Sequence, residues 1–319
     1  MEKNVPRRVK RGEPRAWTDP APHKDGFLKA NGIRLNYLDW GGSGPALILI
    51  HGFSDNPHVF DDLAPSFTDS FRVIAYARRG HGKSEASGPY DNATLTEDLR
   101  GLMDNLRIAK ASLAGWSMGG NEITSMAGAY PERVNRIVYL DAGYDWADRS
   151  LAEAFKTLPV PLRTPTSALK SLDAYRRYNH TIWFASMDDL RPLEAYFRDL
   201  VLIHPDGSLR ERMSAGVMKA LWSTLTTFHK EYTGVRLPAL AIYAHSFVPV
   251  RHGDPTQLAK NLAWERKFFV QFRRSSIERI RCEIPGIKIV RVPGTHQDFV
   301  FTSRDRVVSV MRRFLLEPN

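Results

Sequence analysis

Apolar and polar residues along this chain repeat with two different periods. Ile33-Arg34-Leu35-Asn36-Tyr37-Leu38-Asp39-Trp40 alternates apolar and polar. That pattern predicts a strand with one buried face. Phe27-Leu28-Lys29-Ala30 precedes it, and Asn31-Gly32 between the two is a hairpin-type turn. Other runs are mainly apolar: 46–50 continuously so, then 71–76, 111–115, 134–140, 239–244 and 287–292. Such runs predict strands covered on both faces of a sheet. Helical patterns separate them. Residues 92–106 place Leu95, Leu99, Leu102 and Met103 along one side, with Thr94 or Thr96 near the start. Residues 57–66 and 117–130 also read as helices, the second followed by Pro131. Residues 303–316 predict a closing helix with Ser303 as N-cap. Strands alternating with helices predict an α/β fold with a mainly parallel, doubly covered sheet.

The alternation breaks over residues 146–235, where no buried strand run is evident. Helix-like pieces occupy 150–157, 168–178, 190–202 and 209–230, and large aromatics are frequent: Trp183, Phe184, Tyr196, Phe197, Trp222 and Phe228. We read this segment as a helical cap between two strands of the sheet. Residues 25–145 and 236–319 then form one core. Residues 1–24, polar and basic with four prolines, read as a flexible extension, with order beginning near Gly26.

Composition narrows the class. The 319 residues are 43% hydrophobic and 25% charged, as in a globular protein with a large core. Cys282 is the single cysteine, so no disulfide forms within the chain and no zinc site rests on several thiolates. With no secretory h-region at the start, a reducing, cytoplasmic setting is expected. No apolar run approaches the ~20 residues of a membrane span, so no stable membrane insertion is expected. The net charge of +10 sits at the ends: residues 1–24 carry +4 and residues 251–319 carry +7. No helix-turn-helix, zinc-finger or RNA-binding signature accompanies it, so nucleic acid is not an expected partner. A solvated basic tail and a basic surface helix account for the excess.

The sharpest chemical signal is Gly115-Trp116-Ser117-Met118-Gly119-Gly120. It fits G-x-S-x-G between a predicted strand and helix, the context in which that motif carries a nucleophile. Small neighbours let the chain turn tightly and expose the serine hydroxyl at the sheet's carboxyl edge. The helix N-terminus behind it favours developing negative charge. Three further motifs stand in order: His51-Gly52-Phe53 after an apolar strand, Arg79-Gly80-His81-Gly82-Lys83-Ser84, and Gly294-Thr295-His296 after the last strand.

On these motifs the chain resembles the α/β-hydrolase superfamily over about residues 26–316. Its elbow is similar to those of enol-lactone hydrolases, carboxylesterases and cofactor-free haloperoxidases. The resemblance implies Ser117 as nucleophile and His296 as its base, in the family's chain order Ser…acid…His. His51 and His81 match structural motif positions. The other seven histidines, His23 and His58 among them, are assigned to packing or solvent. The acid has two candidates. Relatives often carry it after the penultimate strand, where His245-Ser246-Phe247-Val248 offers no carboxylate, although Asp254 can serve if the loop is longer. The superfamily's other position is the end of the strand after the elbow helix, where Asp141 stands. Asp141 is preferred, Asp254 is the alternative and Asp145 comes third.

An oxyanion hole built from the backbone N–H groups of Phe53 and Met118 is implied, each donor contributing ~3 kcal/mol. Trp116, Trp183, Phe184 and Trp222 are the expected substrate-binding side chains. A serine at the elbow argues against the aspartate-nucleophile relatives. No P-loop, dinucleotide fingerprint or metal motif appears, so no cofactor and no metal are expected. The expected reaction is hydrolysis of a small ester, lactone or related acyl compound through an acyl-serine. Alternatives are C–C bond hydrolysis of a ring-cleavage dione, a cofactor-free lyase or perhydrolase reaction, and a non-catalytic ligand receptor.

Overall fold

The computed structural model describes residues 17–161, 163–249 and 254–318. Strand β1 (Lys24–Ala30) turns at Asn31-Gly32 into β2 (Ile33–Gly41), as the hairpin signal predicts. The mainly apolar runs become β3 (Ala46–Ile50), β4 (Arg72–Tyr76), β5 (Ala111–Trp116) and β6 (Val134–Leu140). Helix α1 (Asn92–Asn105) joins β4 to β5, and α2 (Gly119–Ala129) joins β5 to β6. Asp91, and neither Thr94 nor Thr96, caps α1: its side chain accepts the Thr94 N–H at 2.9 Å. A carboxylate at the dipole's positive end serves as well as a hydroxyl there. The helix expected over 57–66 is two short 3₁₀ turns, Pro57–Phe60 and Ala64–Phe67, each opening on a proline.

Between β6 and the next sheet strand lie α3 (Arg149–Lys156), α4 (Leu172–Ile182), α5 (Glu194–Leu200) and α6 (Ala215–Thr227). The segment is not purely helical. β7 (Val201–Ile203) and β8 (Leu209–Glu211) form a two-stranded antiparallel ribbon that takes the start of the expected 209–230 helix. Three paired residues a side are too short to leave a periodic signature. The main sheet resumes with β9 (Ala239–Ser246). Helix α7 (Pro255–Trp264) and α8 (Val270–Glu283) follow, joined through a π-helical turn, then β10 (Lys288–Thr295), α9 (Phe299–Thr302) and α10 (Arg304–Leu315). Ser303 precedes α10, but its hydroxyl donates to Pro293 O at 2.8 Å and makes no cap bond.

The eight strands run in the order β1-β2-β4-β3-β5-β6-β9-β10, antiparallel only at the β1–β2 and β2–β4 pairs. One face packs on α1, α2 and α8 through Leu95, Leu99, Met103, Ile123, Met126 and Ile280. The other packs on the 57–67 turns and α10 through Val59, Phe60, Phe67, Val307, Met311 and Phe314. Burying each such side chain stabilises the fold by ~1.5–3 kcal/mol. The result is a mainly parallel sheet covered on both sides, which presents the carboxyl ends of β3, β5, β6, β9 and β10 along one rim.

The extension expected over 1–24 lies outside the described residues up to position 16. Defined contacts begin before Gly26, because Asp19 and His23 already pack on His58 and Asp61.

Candidate active site

Ser117 ends β5 with a positive φ of 53°, in the left-handed region that L-residues avoid. The turn is feasible because its neighbours are glycines. A Cβ on Gly115 would come within 2.5 Å of Gly119 O. The serine is thereby raised over the N-terminus of α2, where the helix dipole favours an anion. Asp141, just past β6, is a second left-handed non-glycine residue, with φ 46°. Its N–H donates to Ile242 O on neighbouring β9 at 2.7 Å. His296 follows β10, and its N–H donates to Ser246 O at 2.8 Å. Three neighbouring strand ends thus set three side chains.

They meet. His296 Nε2 lies 2.9 Å from Ser117 Oγ, and His296 Nδ1 lies 2.7 Å from Asp141 Oδ2. Asp141 Oδ1 also accepts from Tyr144 Oη at 2.8 Å and from the Ala244 N–H at 3.0 Å. With the carboxylate fully buried and both oxygens engaged, the imidazole is oriented and Nε2 is free to accept a proton from the serine. Phe247 lies tilted against the His296 ring at 4.6 Å between centroids, and Trp146 meets it edge-on at 5.6 Å. Asp254 is not at this place. It is exposed at the N-cap of α7, accepting the Thr256 N–H at 2.8 Å. Asp145 binds Arg279 Nη1 at 2.9 Å and His229 Nδ1 at 3.1 Å.

The N–H groups of Phe53 and Met118 have no acceptor among the described residues. Both border Ser117, since a Cβ on Gly52 would touch Ser117 Cβ at 3.1 Å. The loop before Phe53 is fixed from beneath by Arg78, which is wholly buried. Its guanidinium donates to His51 O at 2.7 Å and Gly52 O at 3.2 Å. Its Nε and the Tyr76 hydroxyl both bind the Glu122 carboxylate. Burial pushes His51 well below the usual histidine range, and burial with the Arg78 charge takes His81 down to about 3. Both rings are therefore neutral near pH 7. His51 Nε2 accepts the Arg78 N–H, which leaves Nδ1–H to donate to Gly52 O.

A cavity of about 190 Å³ opens over Ser117 and His296. Trp183, Phe184 and Trp222 line it, together with Phe53. Trp222 meets the Phe53 ring edge-on at 5.5 Å. Trp116 does not line it, which corrects the expectation. Strand alternation turns Trp116 into the core beneath, against Phe60 and Phe299, and its Nε1 donates to His296 O at 3.0 Å. The Met118 side chain is likewise fully buried.

Sequence reading passed over several polar members of the site. Asp55 reaches the cavity from the loop after Gly52, accepting from Tyr196 Oη at 2.7 Å and Gln297 Nε2 at 3.3 Å. Burial raises its carboxyl above the usual range, opposed by these two hydrogen bonds. Asp199 lines the same cavity with no hydrogen bond to either carboxylate oxygen among the described residues and Arg212 Nη2 3.7 Å from Oδ1, and burial raises it too. Lys230 is fully buried and donates to Ala142 O at 2.6 Å and Tyr144 O at 2.7 Å, fastening the loop that follows Asp141. Burial lowers it to about 7. A lysine after a long helical pattern carries no signal of such burial. Gln297 beside His296 was the one such residue with a positional hint.

The comparisons agree with this architecture. A sequence model described as "alpha/beta hydrolase fold" matches residues 45–185. The chain is 36% identical over 121 residues to "3-oxoadipate enol-lactonase 2" of Acinetobacter baylyi, covering 37% of this chain and 45% of that protein. It is 26% identical over 307 residues to a "Putative non-heme chloroperoxidase" of Synechocystis sp., covering 89% and 95%. The crystal structure of E-2-(acetamidomethylene)succinate hydrolase superposes with a TM-score of 0.70 at 24% identity, over 92% of this chain and 99% of that one. The chain spans only 42–45% of the length of several curated relatives that it matches. With the strand order, the elbow and the match over residues 45–185 in agreement, the chain has the α/β-hydrolase fold.

Proposed function

We propose that the protein is a hydrolase of a small carboxylic ester, lactone or related acyl compound, working through an acyl-serine. One observation carries this reading: Ser117 Oγ, His296 and Asp141 are in hydrogen-bonded series, with the serine opening into an apolar cavity. Ser117 Oγ attacks the acyl carbon while its proton passes to His296 Nε2. The oxygen that becomes negative is bound by the N–H groups of Phe53 and Met118. The intermediate collapses, and the imidazolium returns the proton to the leaving alcohol. For a lactone that alcohol stays tethered to the acyl group. Water, deprotonated by His296, then cleaves the acyl-serine. Asp141 stays ionised and holds the imidazole in its tautomer.

We read residues 146–235 as a cap that excludes water and sets substrate size. The aromatic lining fits an apolar acyl or alcohol group. Asp55, Asp199 and Tyr196 fit a substrate that also carries a hydroxyl or other donor. The names of the enol-lactonase and succinate hydrolase relatives favour small acyl substrates. A cytoplasmic setting is our reading of the single-cysteine composition. Among the described residues no helix is long and apolar enough to cross a membrane.

The test is labelling by a fluorophosphonate and hydrolysis of p-nitrophenyl acetate, butyrate and octanoate. Wild type should label once, at Ser117, and turn over at least one ester. Ser117→Ala should do neither. An unlabelled, inert wild type would move the lyase and receptor readings to the front.

A further inference from the structure

Away from the cavity, four side chains that the site does not use converge. Asp19 and His23 come from the segment before β1. His58 and Asp61 come from the 3₁₀ turn behind the Phe53 loop. His23 Nε2 lies 3.1 Å from Asp19 Oδ2 and 3.6 Å from Asp61 Oδ1. His58 Nδ1 lies 3.4 Å from Asp19 Oδ2 and 2.9 Å from Asp61 Oδ2. One donor atom from each residue falls within 4.8 Å of every other. The side chains of His23, His58 and Asp61 are 5%, 4% and 9% exposed, and Asp19 is 21% exposed.

These separations have a chemical meaning. Four ligands about 2.0–2.1 Å from a tetrahedral ion are about 3.3–3.4 Å from one another. The four pairs above, which engage both Asp61 oxygens, straddle that value, and with one donor atom per residue all separations are within 4.8 Å, so the side chains must draw in around an ion. A buried carboxylate oxygen needs a partner, yet Asp61 Oδ1 makes no hydrogen bond and faces His23 Nε2. Two carboxylates and two neutral imidazoles together balance a dication. A mixed nitrogen and oxygen set that offers four ligands suits zinc and fills its coordination. The Trp40 ring lies edge-on to His23 at 5.4 Å and walls one side. The turn itself is rigid: Asn56 caps it by accepting the His58 N–H at 3.0 Å and donates from Nδ2 to Tyr196 O at 3.0 Å.

We propose that Asp19, His23, His58 and Asp61 form a structural Zn²⁺ site that fastens the segment before β1 to the turn behind the Phe53 loop. Sequence spacing hides it, because the two halves are D-x₃-H and H-x₂-D about thirty-five residues apart. The site takes no part in the acyl chemistry and is independent of it.

The test uses the full chain, free of any affinity tag and stripped with chelator. Zn²⁺ is titrated by calorimetry. Co²⁺ is added in parallel and read by visible absorption, where tetrahedral coordination gives intense bands. One equivalent of Zn²⁺ should bind and raise Tm by several degrees, and Co²⁺ should develop those bands. His23→Gln and Asp61→Asn, each checked for folding by circular dichroism, should weaken Zn²⁺ binding at least ~100-fold and abolish the Tm rise. A folded wild type that binds neither ion overturns the proposal and leaves two histidine–carboxylate hydrogen-bonded pairs. Binding that survives in both variants overturns it as well.

Discussion

Tyr144 Oη donates to Asp141 Oδ1 at 2.8 Å, on the carboxylate oxygen that His296 does not use. The phenol thus completes the solvation of a buried anion with no access to water. A hydrogen bond to a charged group contributes ~1.5–3 kcal/mol. Tyr144→Phe should therefore loosen the hold of Asp141 on His296 and lower kcat by ~10-fold, with KM little changed. An unchanged kcat would show that the phenol only packs.

The two candidate acids separate cleanly. Asp141→Asn presents an amide to His296 and favours the wrong tautomer, and kcat should fall by ~10⁴. Asp254→Asn should leave both activity and Tm unchanged, because asparagine caps a helix as well as aspartate does. Initial rates on p-nitrophenyl butyrate with both variants check this. A large loss in Asp254→Asn and none in Asp141→Asn would reverse the assignment.

Lys230 gives stability a pH dependence. Its folded pKa is about 7, below the ordinary 10.5, because burial disfavours the charge. Between those values the unfolded chain binds more protons, so this group's contribution rises with pH from about 7 to 10.5. Below pH 7 the buried ammonium opposes folding in full. Lys230→Met removes the titration but strands two buried carbonyls, costing ~1–3 kcal/mol. Denaturant unfolding of wild type and variant from pH 6 to 10 should show their difference widening in favour of wild type as pH rises. A constant difference would exclude the effect.

Arg78 is a second buried anchor, set under the Phe53 loop. Arg78→Met leaves the Glu122 carboxylate buried beside Tyr76 without its cation, and such losses cost ~3–5 kcal/mol. Arg78→Met with Glu122→Gln should recover much of that. It should not recover kcat, because the His51 and Gly52 carbonyls would still lack their donors. Chemical denaturation and ester kinetics on the two variants report the two effects separately.

Trp222 sets the depth of the cavity beside Phe53 and Phe155. Trp222→Ala should shift preference from acetate towards octanoate, reading as a higher ratio of the two kcat/KM values. An unchanged ratio would place the acyl group elsewhere.

The six central strands β3–β6, β9 and β10 were legible because mainly apolar runs have few alternatives in an α/β chain, and β1–β2 because alternation flanks an Asn-Gly turn. Ser117 and His296 were legible because backbone strain and strand ends demand particular neighbours. Asp141 could be preferred but not separated from Asp254, since strand-end aspartates look alike until a loop's path is known. Trp116 misled because a residue inside the elbow motif faces the core through simple alternation. Asp55, Asp199 and Lys230 were missed for a common reason. Each is a polar residue buried by partners far away in sequence, and one-dimensional patterning assigns polar residues to solvent.

Lys230 lies near the end of the inserted segment, and the carbonyls it grips, Ala142 and Tyr144, lie at its beginning. One side chain therefore draws both ends of a long excursion together, as a clasp closes a necklace. The excursion beyond Tyr144 therefore returns, at Lys230, to nearly the point where it left the carboxyl end of β6. An engineer could exchange everything beyond the clasp for the corresponding segment of another enzyme. Ser117, Asp141 and His296 would keep their partners, provided the graft begins after Trp146, which packs on the His296 ring, and rejoins before Lys230.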